Sequence, residues 1–220
     1  MTEKKLDGKN LTMLTDFYEM TMANGYLANG YRDTIAYFDM FFHRVPNNGG
    51  FAIMAGVQQL VDYLNALTFT EEDIGYLRSI GIFNEEFLSY LSDFKFSCDI
   101  WAVPEGTPIF PGEPIVTVRG PVIQAQLIET MLLLTINHQS LVATKANRIV
   151  RAAQGRAVME FGSRRAQGPD GAIYGARAAY IGGNGLRHFR SALWGSCRRY
   201  HGPLLGADVR FGIRGIQVLL

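Results

Sequence analysis

The sequence predicts an α/β fold, and three patterns lead to this prediction. Apolar residues recur at helical spacing in several segments, first over residues 14–27. Residues 34–44 (TIAYFDMFFHR) alternate and are rich in aromatic and β-branched residues, which is typical of a strand. Residues 157–161 are a short apolar run that Gly162 ends, and an arginine pair follows. Folds of this class bind their ligands just beyond the carboxyl ends of strands.

The first helix is predicted to begin after Thr15 or Asp16, either of which can cap a helix. Its apolar stripe consists of Leu14, Phe17, Met20 and Leu27. Tyr18 and Tyr26 lie on the same helix, and from these residues alone core packing is one reading of both rings.

Three more helices are predicted over residues 57–67, 71–80 and 85–94. A Thr or Asn and acidic residues open the last two, as expected at helix N-termini. Residues 47–50 (NNGG) predict a turn, and the prolines and glycines of residues 99–119 predict short antiparallel strands with tight turns.

Two helices are predicted to follow, over residues 122–136 and 139–153. The first is apolar nearly all round, so we expect it to be buried. The second places Lys145, Arg148 and Arg151 on one side, which is either a solvated face or a surface for an anionic ligand.

Residues 162–171 contain groups that bind anions. The adjacent guanidiniums of Arg164 and Arg165 suit the recognition of phosphate or carboxylate. Residues 168–171 (GPDG) are typical of a turn, and a helix is predicted over residues 172–180. On these residues alone, a surface turn with solvated arginines remains an alternative.

Composition excludes several classes of protein. The chain has 220 residues, 48% of them hydrophobic, and a net charge of +1, which fits a globular protein with a sizeable core. No apolar run approaches the ~20 residues of a membrane span, and the polar first ten residues do not resemble a signal peptide, so we expect a cytoplasmic protein. The cysteines and histidines lack the spacing of disulfide frameworks or metal sites: Cys98, Cys197, His43, His138, His188 and His201.

Three segments resemble the nicotinate phosphoribosyltransferase family. Residues 160–166 (EFGSRRA) are similar to its EFGxRRA signature, and residues 14–18 (LTDFY) are similar to its amino-terminal LTDxY motif. Residues 140–146 (SLVATKA) resemble its S-x-(I/V)-A-T-K-A run. The three occur in the order found in the family, and the resemblance covers residues 1–183.

The resemblance implies a fold and a reaction. Residues 1–136 would form the α+β amino-terminal domain, and residues 137–183 the start of an incomplete type II phosphoribosyltransferase α/β barrel. The family converts nicotinate and phosphoribosyl pyrophosphate to nicotinate mononucleotide and pyrophosphate. This reaction is coupled to ATP hydrolysis, with Mg²⁺ expected, and members form homodimers.

The resemblance also implies roles for four residues. Tyr18 of one subunit and Phe161 of the other would stack on the pyridine ring. Arg164 and Arg165 would neutralise carboxylate and phosphate, in roles that sequence does not separate. No catalytic residue is assigned, because the family's phosphohistidine lies in a GTxAHSW segment that this chain lacks.

Residues 184–220 are predicted to be an out-of-frame tail. They contain six arginines, no lysine and one acidic residue, and residues 1–183 therefore carry a net negative charge. A back-translation of residues 200–209 (YHGPLLGADV), read one base later, encodes TMAHSWVQM, which contains the missing AHSW segment. We therefore expect this chain to be an inactive fragment.

Other functions remain open at this point. A nicotinamide- or quinolinate-using phosphoribosyltransferase belongs to the same reaction class. A non-catalytic fragment that binds a partner subunit is a different class. Nucleic-acid binding by the arginine-rich tail follows from charge alone, and six arginines without aromatic spacing indicate it only weakly.

Overall fold

The structure, a computed structural model, describes residues 10–183 and the backbone of residues 189–191 and 216–218. The predicted out-of-frame tail, with Cys197, His188 and His201, otherwise lies outside the described residues.

Helices and strands alternate in groups along the described chain. The helices are α1 (Phe17–Ala28), α2 (Val57–Ala66), α3 (Glu71–Ile80), α4 (Glu85–Ser92), α5 (Val122–Gln126), α6 (Glu129–Ala152) and α7 (Gly168–Gly182). The strands are β1 (Ile35–Phe41), β2 (Ala52–Ile53), β3 (Asp99–Ala102), β4 (Pro108–Ile109), β5 (Pro114–Pro121), β6 (Val158–Glu160), β7 (Phe189–Ser191) and β8 (Ile216–Val218). The fold is thus α/β, as predicted.

Four strands form the main sheet in the order β1–β5–β3–β8. Strand β5 pairs antiparallel with both β1 and β3, and β3 pairs parallel with β8. Strands β2 and β4 form an antiparallel pair, and β6 and β7 form a parallel pair. The short strands predicted within residues 99–119 are confirmed as β3, β4 and β5.

The starts of α3 and α4 are set by local capping residues. Thr70 Oγ1 accepts the Asp73 N–H at 3.2 Å, and the Asp73 carboxylate accepts the Thr70 N–H at 2.8 Å. Asn84 Oδ1 accepts the Phe87 N–H at 2.8 Å. Caps of this kind stabilise a helix by about 1 kcal/mol each. Both predicted starts are confirmed.

The apolar interior has two parts. The larger, here the amino-terminal core, packs α1 to α5, the first half of α6 and strands β1, β3 and β5 around large side chains such as Phe87, Leu88, Leu91, Ile123, Ile128 and Ile136. The smaller, here the α6–α7 cluster, consists of Ile53, Ala55, Ala143, Ala178 and Ile181. The two parts meet along α6.

The helix break predicted between residues 136 and 139 is wrong. The break lies between α5 and α6, and α6 continues from Glu129 to Ala152, because no proline or glycine interrupts its hydrogen bonds. Full burial of residues 122–136 is also wrong, since Leu133 and Leu134 are exposed. The domain boundary predicted after residue 136 falls inside α6, and the division into domains stays a prediction.

Two other boundaries differ from the predictions. Helix α1 begins at Phe17, so Leu14 lies before the helix. Of the predicted apolar stripe, the side chains of Leu14 and Phe17 are exposed, whereas those of Met20 and Leu27 are buried. Asp16 is the N-cap residue of α1 but makes no capping bond through its side chain. Residues 168–171 form the first turn of α7, because the fixed φ of a proline suits the start of a helix.

Candidate functional site

A cavity of about 320 Å³ lies where the end of β6, the 3₁₀ turn Ser163–Arg165, α6 and α7 meet. It is lined by His138, Val142, Glu160, Gly162, Ser163, Arg165, Ala166, Gln167, Gly171, Ala172, Gly175 and Ala176. Small-molecule sites commonly enclose about 300–1,000 Å³. The cavity therefore has room for a small ligand, and one of its walls is polar and carries a guanidinium.

The wall contributed by α7 is made of small residues. Gly171, Ala172, Gly175 and Ala176 recur one and four residues apart, so they lie on one side of the helix. Further along, a Cβ atom on Gly182 would lie 1.9 Å from the Ala143 carbonyl oxygen. The small residues thus leave the cavity open and let α7 pack directly on the backbone of α6.

Glu160 shapes the turn that follows β6. Its Oε1 accepts a hydrogen bond from the Gly162 N–H, and a Cβ atom on Gly162 would lie 2.6 Å from that oxygen. The other carboxylate oxygen, Oε2, and the Ser163 hydroxyl have no hydrogen-bond partner within the described part of the chain, although both atoms are buried. Buried polar atoms usually have partners, so these two are available to a ligand.

The four residues predicted from sequence lie in two separate places. Arg164 and Arg165 are both exposed, and only Arg165 is part of the cavity lining. Phe161 lies beside the cavity at Gly162, with 65% of its surface exposed. Tyr18 lies on α1 and is 44% exposed. The roles of all four stay predictions.

The Tyr18 phenol donates a hydrogen bond to the side chain of Glu129, at the start of α6. Burial of the hydroxyl, this hydrogen bond and the negative charge of Glu129 together raise the pKa of Tyr18 to about 12. The phenol is therefore protonated at neutral pH, and the side chain is held at both its backbone and its hydroxyl end.

Tyr18 and the cavity lie on opposite sides of α6. Nine residues separate Glu129, which binds Tyr18, from His138, which lines the cavity, and this is two and a half helical turns. The same interval advances about 14 Å along the helix axis. Within one chain, the tyrosine and the cavity are therefore held apart by the helix.

Four polar residues that line the cavity were not predicted as site residues from the sequence: His138, Glu160, Ser163 and Gln167. Glu160 and Ser163 lie inside the signature segment, so the motif itself was a usable signal. His138 lies four residues before Val142, which places both on one side of α6. This spacing could have indicated His138 once α6 was known to be continuous.

A buried ion pair joins α7 to the amino-terminal core. Arg177 donates to Glu105 through Nη1 at 2.9 Å and Nη2 at 2.5 Å, and both side chains are buried. Nη1 also lies 3.2 Å from Gln139 Oε1, and Glu105 Oε1 accepts the Gly56 N–H at 2.6 Å. The residue before Arg177, Ala176, lines the cavity. This network therefore sets where the α7 wall lies.

The cationic side of α6 makes contacts within the chain. Arg148 Nη1 donates to the Pro46 carbonyl at 3.1 Å, and the Arg151 guanidinium lies 5.7 Å from the centre of the Phe51 ring. Lys145 is exposed. Two of the three cations thus have structural neighbours.

Across residues 10–183, no group of three or more His, Cys, Asp or Glu side chains is placed to hold a metal ion. Among the described helices, none combines the length and the apolar character needed to cross a membrane.

Comparison with known proteins gives consistent matches. Residues 13–137 match the family model described as the nicotinate phosphoribosyltransferase (NAPRTase) N-terminal domain. A nicotinate phosphoribosyltransferase of Mycobacterium tuberculosis is 46% identical over 171 residues, which cover 78% of this chain and 37% of that protein. One of Bacillus subtilis is 40% identical over 183 residues, which cover 83% of this chain and 37% of that protein.

Solved structures show a similar fold. The crystal structure of human nicotinic acid phosphoribosyltransferase matches with a TM-score of 0.71 and 39% identity, over 78% of this chain and 35% of that one. A nicotinate-nucleotide pyrophosphorylase of Pyrococcus furiosus matches with a TM-score of 0.62 at 24% identity, over 83% of this chain and 40% of that one. This chain therefore spans well under half the length of these relatives.

Proposed function

The chain belongs to the nicotinate phosphoribosyltransferase family, and on this premise we propose that the protein in which it occurs transfers a phosphoribosyl group to nicotinate. The ring nitrogen of nicotinate forms a bond to the anomeric carbon of phosphoribosyl pyrophosphate, and the bond from that carbon to pyrophosphate breaks. The products are nicotinate mononucleotide and pyrophosphate. A cytoplasmic homodimer that couples the reaction to ATP hydrolysis remains part of this proposal.

The observation that carries the proposal is the cavity beside Phe161, into which the signature segment contributes Arg165. A guanidinium is a planar donor that pairs with a carboxylate or phosphate through two hydrogen bonds. The Ser163 hydroxyl offers a further donor on the same wall. Such a wall can orient an anionic pyridine against a polyanion, and orientation accounts for a large part of enzymatic rate enhancement.

The placement of Tyr18 supports a site shared between two chains. Phe161 is exposed next to the cavity, and Tyr18 lies on the far side of α6. One ring cannot contact both aromatic side chains of a single chain with this fold, so we propose that Tyr18 of a second chain completes the site. Stacking on both faces of the ring would contribute on the order of 1 to 3 kcal/mol for each aromatic residue.

ATP enters the proposal as a co-substrate and Mg²⁺ as a cofactor, both expected from the family. The described residues contain no cluster of acidic or histidine side chains that could enclose a metal ion. Mg²⁺ is commonly bound through substrate phosphates with few protein ligands. We therefore assign neither group a binding residue among residues 10–183.

Two alternatives make different predictions. A nicotinamide- or quinolinate-using enzyme would show a different order of preference when the three pyridines compete for the site. The Arg165 guanidinium in the lining supports an acidic pyridine over the neutral amide. A non-catalytic fragment that binds a partner subunit would form complexes in light scattering but no nicotinate mononucleotide in an activity assay.

The experiment that tests the proposal compares lysine and alanine at Arg164 and Arg165. Nicotinate and phosphoribosyl pyrophosphate affinities would be measured by calorimetry on the intact protein. At Arg165 we expect Lys to lose nearly as much affinity as Ala, because a lysine cannot form the planar two-bond contact. Arg78→Lys, on the exposed surface of α3, serves as the control. If Lys restores affinity at both positions, the arginines act only through diffuse charge and the proposed contact is wrong.

A further inference from the structure

The first turn of α1 is bound to the first turn of α6 through one carboxylate. Glu19 is 0% exposed and accepts hydrogen bonds from the hydroxyls of Thr15 and Thr130. It also accepts the backbone N–H of Thr130 at 3.1 Å. In addition, the Asp16 N–H donates to Thr130 Oγ1 at 3.2 Å. Two helices that are far apart in sequence therefore share one hydrogen-bonded network.

Neither helix start in this network is capped by its own N-cap residue. Ile128, the N-cap residue of α6, has no polar side chain, and the Asp16 side chain makes no capping bond in α1. The first N–H groups of a helix lack partners within the helix and favour a negative charge nearby. Glu19 supplies a hydrogen-bond acceptor for the Thr130 N–H and a carboxylate next to the helix start. A residue of α1 therefore caps α6.

A carboxylate is a costly residue for this place. Burial raises the pKa of Glu19, hydrogen bonds from Thr130 and Thr15 lower it, and the charge of Glu129 raises it, with a net increase. An apolar side chain would fill the space without a desolvation penalty. The hydrogen bonds to Thr15 and Thr130 therefore account for the presence of an acid here, and what they fix is the first turn of α1.

That turn presents Tyr18. Its backbone lies next to Glu19, and its phenol donates to Glu129, which also accepts the Gln126 amide at 2.7 Å. Both ends of the tyrosine are thus bound to the start of α6, while the ring remains partly exposed. A side chain ordered before binding loses less conformational entropy when its ligand arrives.

We propose that Glu19 is a positioning residue for Tyr18, which by capping α6 from α1 fixes the tyrosine ring in the orientation that a second chain's ligand meets. The inference rests on the proposed function for the identity of that ligand. The effect of Glu19 on Tyr18 is independent of the proposed function, because it can be measured on the 220-residue chain without a ligand.

The test compares Glu19→Ala with Glu19→Gln in the full chain labelled with 3-fluorotyrosine. Fluorine NMR follows the Tyr18 signal, which Tyr18→Phe identifies, and hydrogen exchange follows the Thr130 amide. With Glu19→Ala we expect the Thr130 amide to exchange on the order of tenfold faster, as the loss of about one hydrogen bond implies, and the Tyr18 signal to shift or broaden. Glu19→Gln keeps an acceptor oxygen, so both readouts should stay close to those of the unaltered chain.

Two further variants keep the test decisive. Glu86→Ala removes an exposed acid from the first turn of α4 and should change neither readout. Thr130→Val removes the hydroxyl partner of Glu19 but keeps the backbone hydrogen bond, so it should shift the Tyr18 signal less than Glu19→Ala does. If Glu19→Ala does not fold, the Tyr18 signal of Thr130→Val tests the proposal: a shift supports the positioning role of Glu19, and an unchanged signal contradicts it.

Nicotinate, added to the same labelled chains, separates the two proposals. If it changes the Tyr18 signal of the unaltered chain and this change weakens in Glu19→Ala, both stand. A Tyr18 signal that Glu19→Ala and Thr130→Val leave unchanged overturns the positioning role, even if Thr130 exchanges faster. A Tyr18 signal that responds to Glu19→Ala but never to nicotinate overturns the stacking role in the proposed function and leaves the inference about Glu19 intact.

Discussion

The amino-terminal core and the α6–α7 cluster are stabilised in different ways. The core buries large aliphatic and aromatic side chains, of which Phe87, Leu88 and Leu91 are fully buried. The cluster contributes mainly alanines and isoleucines, and the adjoining contact between α7 and the core is the buried pair of Arg177 and Glu105. The scaffold is thus stabilised by apolar burial, whereas the wall of the candidate site is placed by directional polar contacts.

The two aromatic residues of the proposed site, Tyr18 and Phe161, also differ in the contacts that hold them within the chain. Tyr18 belongs to a helix that packs on the core, and its phenol binds Glu129. Phe161 follows a three-residue strand and is exposed, and its turn depends on the bond between Glu160 and Gly162. Tyr18 therefore has a partner for its hydroxyl within its own chain, whereas Phe161 is 65% exposed.

The largest expected effect is in the core. Phe87→Ala removes a fully buried aromatic side chain, which should lower the free energy of unfolding by about 3–5 kcal/mol through lost burial and the cavity left behind. Urea denaturation followed by circular dichroism measures the change. Tyr76→Ala, at an exposed position on α3, is the control and should cost less than about 0.5 kcal/mol. Equal losses would remove the distinction between core and surface.

A smaller and more local effect is expected at α7. Arg177→Met leaves the Glu105 carboxylate buried without its cation, which should cost about 3 kcal/mol. Hydrogen exchange should then be faster in α7 than in α2 or α4. Adding Glu105→Gln to Arg177→Met removes the unpaired charge and should recover part of the loss. If α7 amides exchange at the same rate in Arg177→Met as in the unaltered chain, polar contacts do not place this wall.

The smallest expected effect concerns the pH dependence of Glu19. Its pKa is raised in the folded chain from an ordinary value of 4.5, so the folded state favours the protonated acid. The stability that it contributes is full below that ordinary value and is lost as pH rises through the folded pKa. Glu19→Gln has no proton to lose, so the variant should gain stability relative to the unaltered chain as pH rises above that ordinary value.

Denaturation at several pH values measures this difference, with Glu86→Gln as the matched exposed control. Glu129, Tyr18 and Tyr63 also face Glu19, so the comparison uses the difference between variants rather than the absolute curve. A difference that shrinks as pH rises would show that the hydrogen bonds to Glu19 outweigh its burial.

The sequence predicted the structural features that depend on contacts between residues close together in the chain. The start of α3 was predictable because Thr70 and Asp73 cap each other three residues apart. The continuity of α6 was not predicted, because the sequence was divided where a strongly apolar segment gives way to a more polar one. The helix itself continues through this position. Arg177 and Glu105 lie far apart in sequence, and no periodic pattern relates them.

The same reasoning explains the outcome at the candidate site. The signature segment led to Arg165, which lines the cavity, because motif residues are close in sequence. It could not indicate His138, which reaches the cavity from α6 through the packing of α6 against the loop and α7. Nor could it show that Tyr18 and the cavity lie on opposite sides of one helix, since this follows from a hydrogen bond to Glu129.

The central claim is that one pyridine ring lies between Tyr18 of one chain and Phe161 of another. Its most direct test is to coexpress Tyr18→Ala and Phe161→Ala subunits of the intact protein and to count nicotinate sites by calorimetry. Each variant alone should lose on the order of 1 to 3 kcal/mol of nicotinate binding. In a two-fold dimer at equal mixing, half of the dimers are mixed and each has one intact site, so about a quarter of the sites should regain full affinity. Unchanged nicotinate affinity in Tyr18→Ala alone, or mixed dimers without any restored site, would contradict the account.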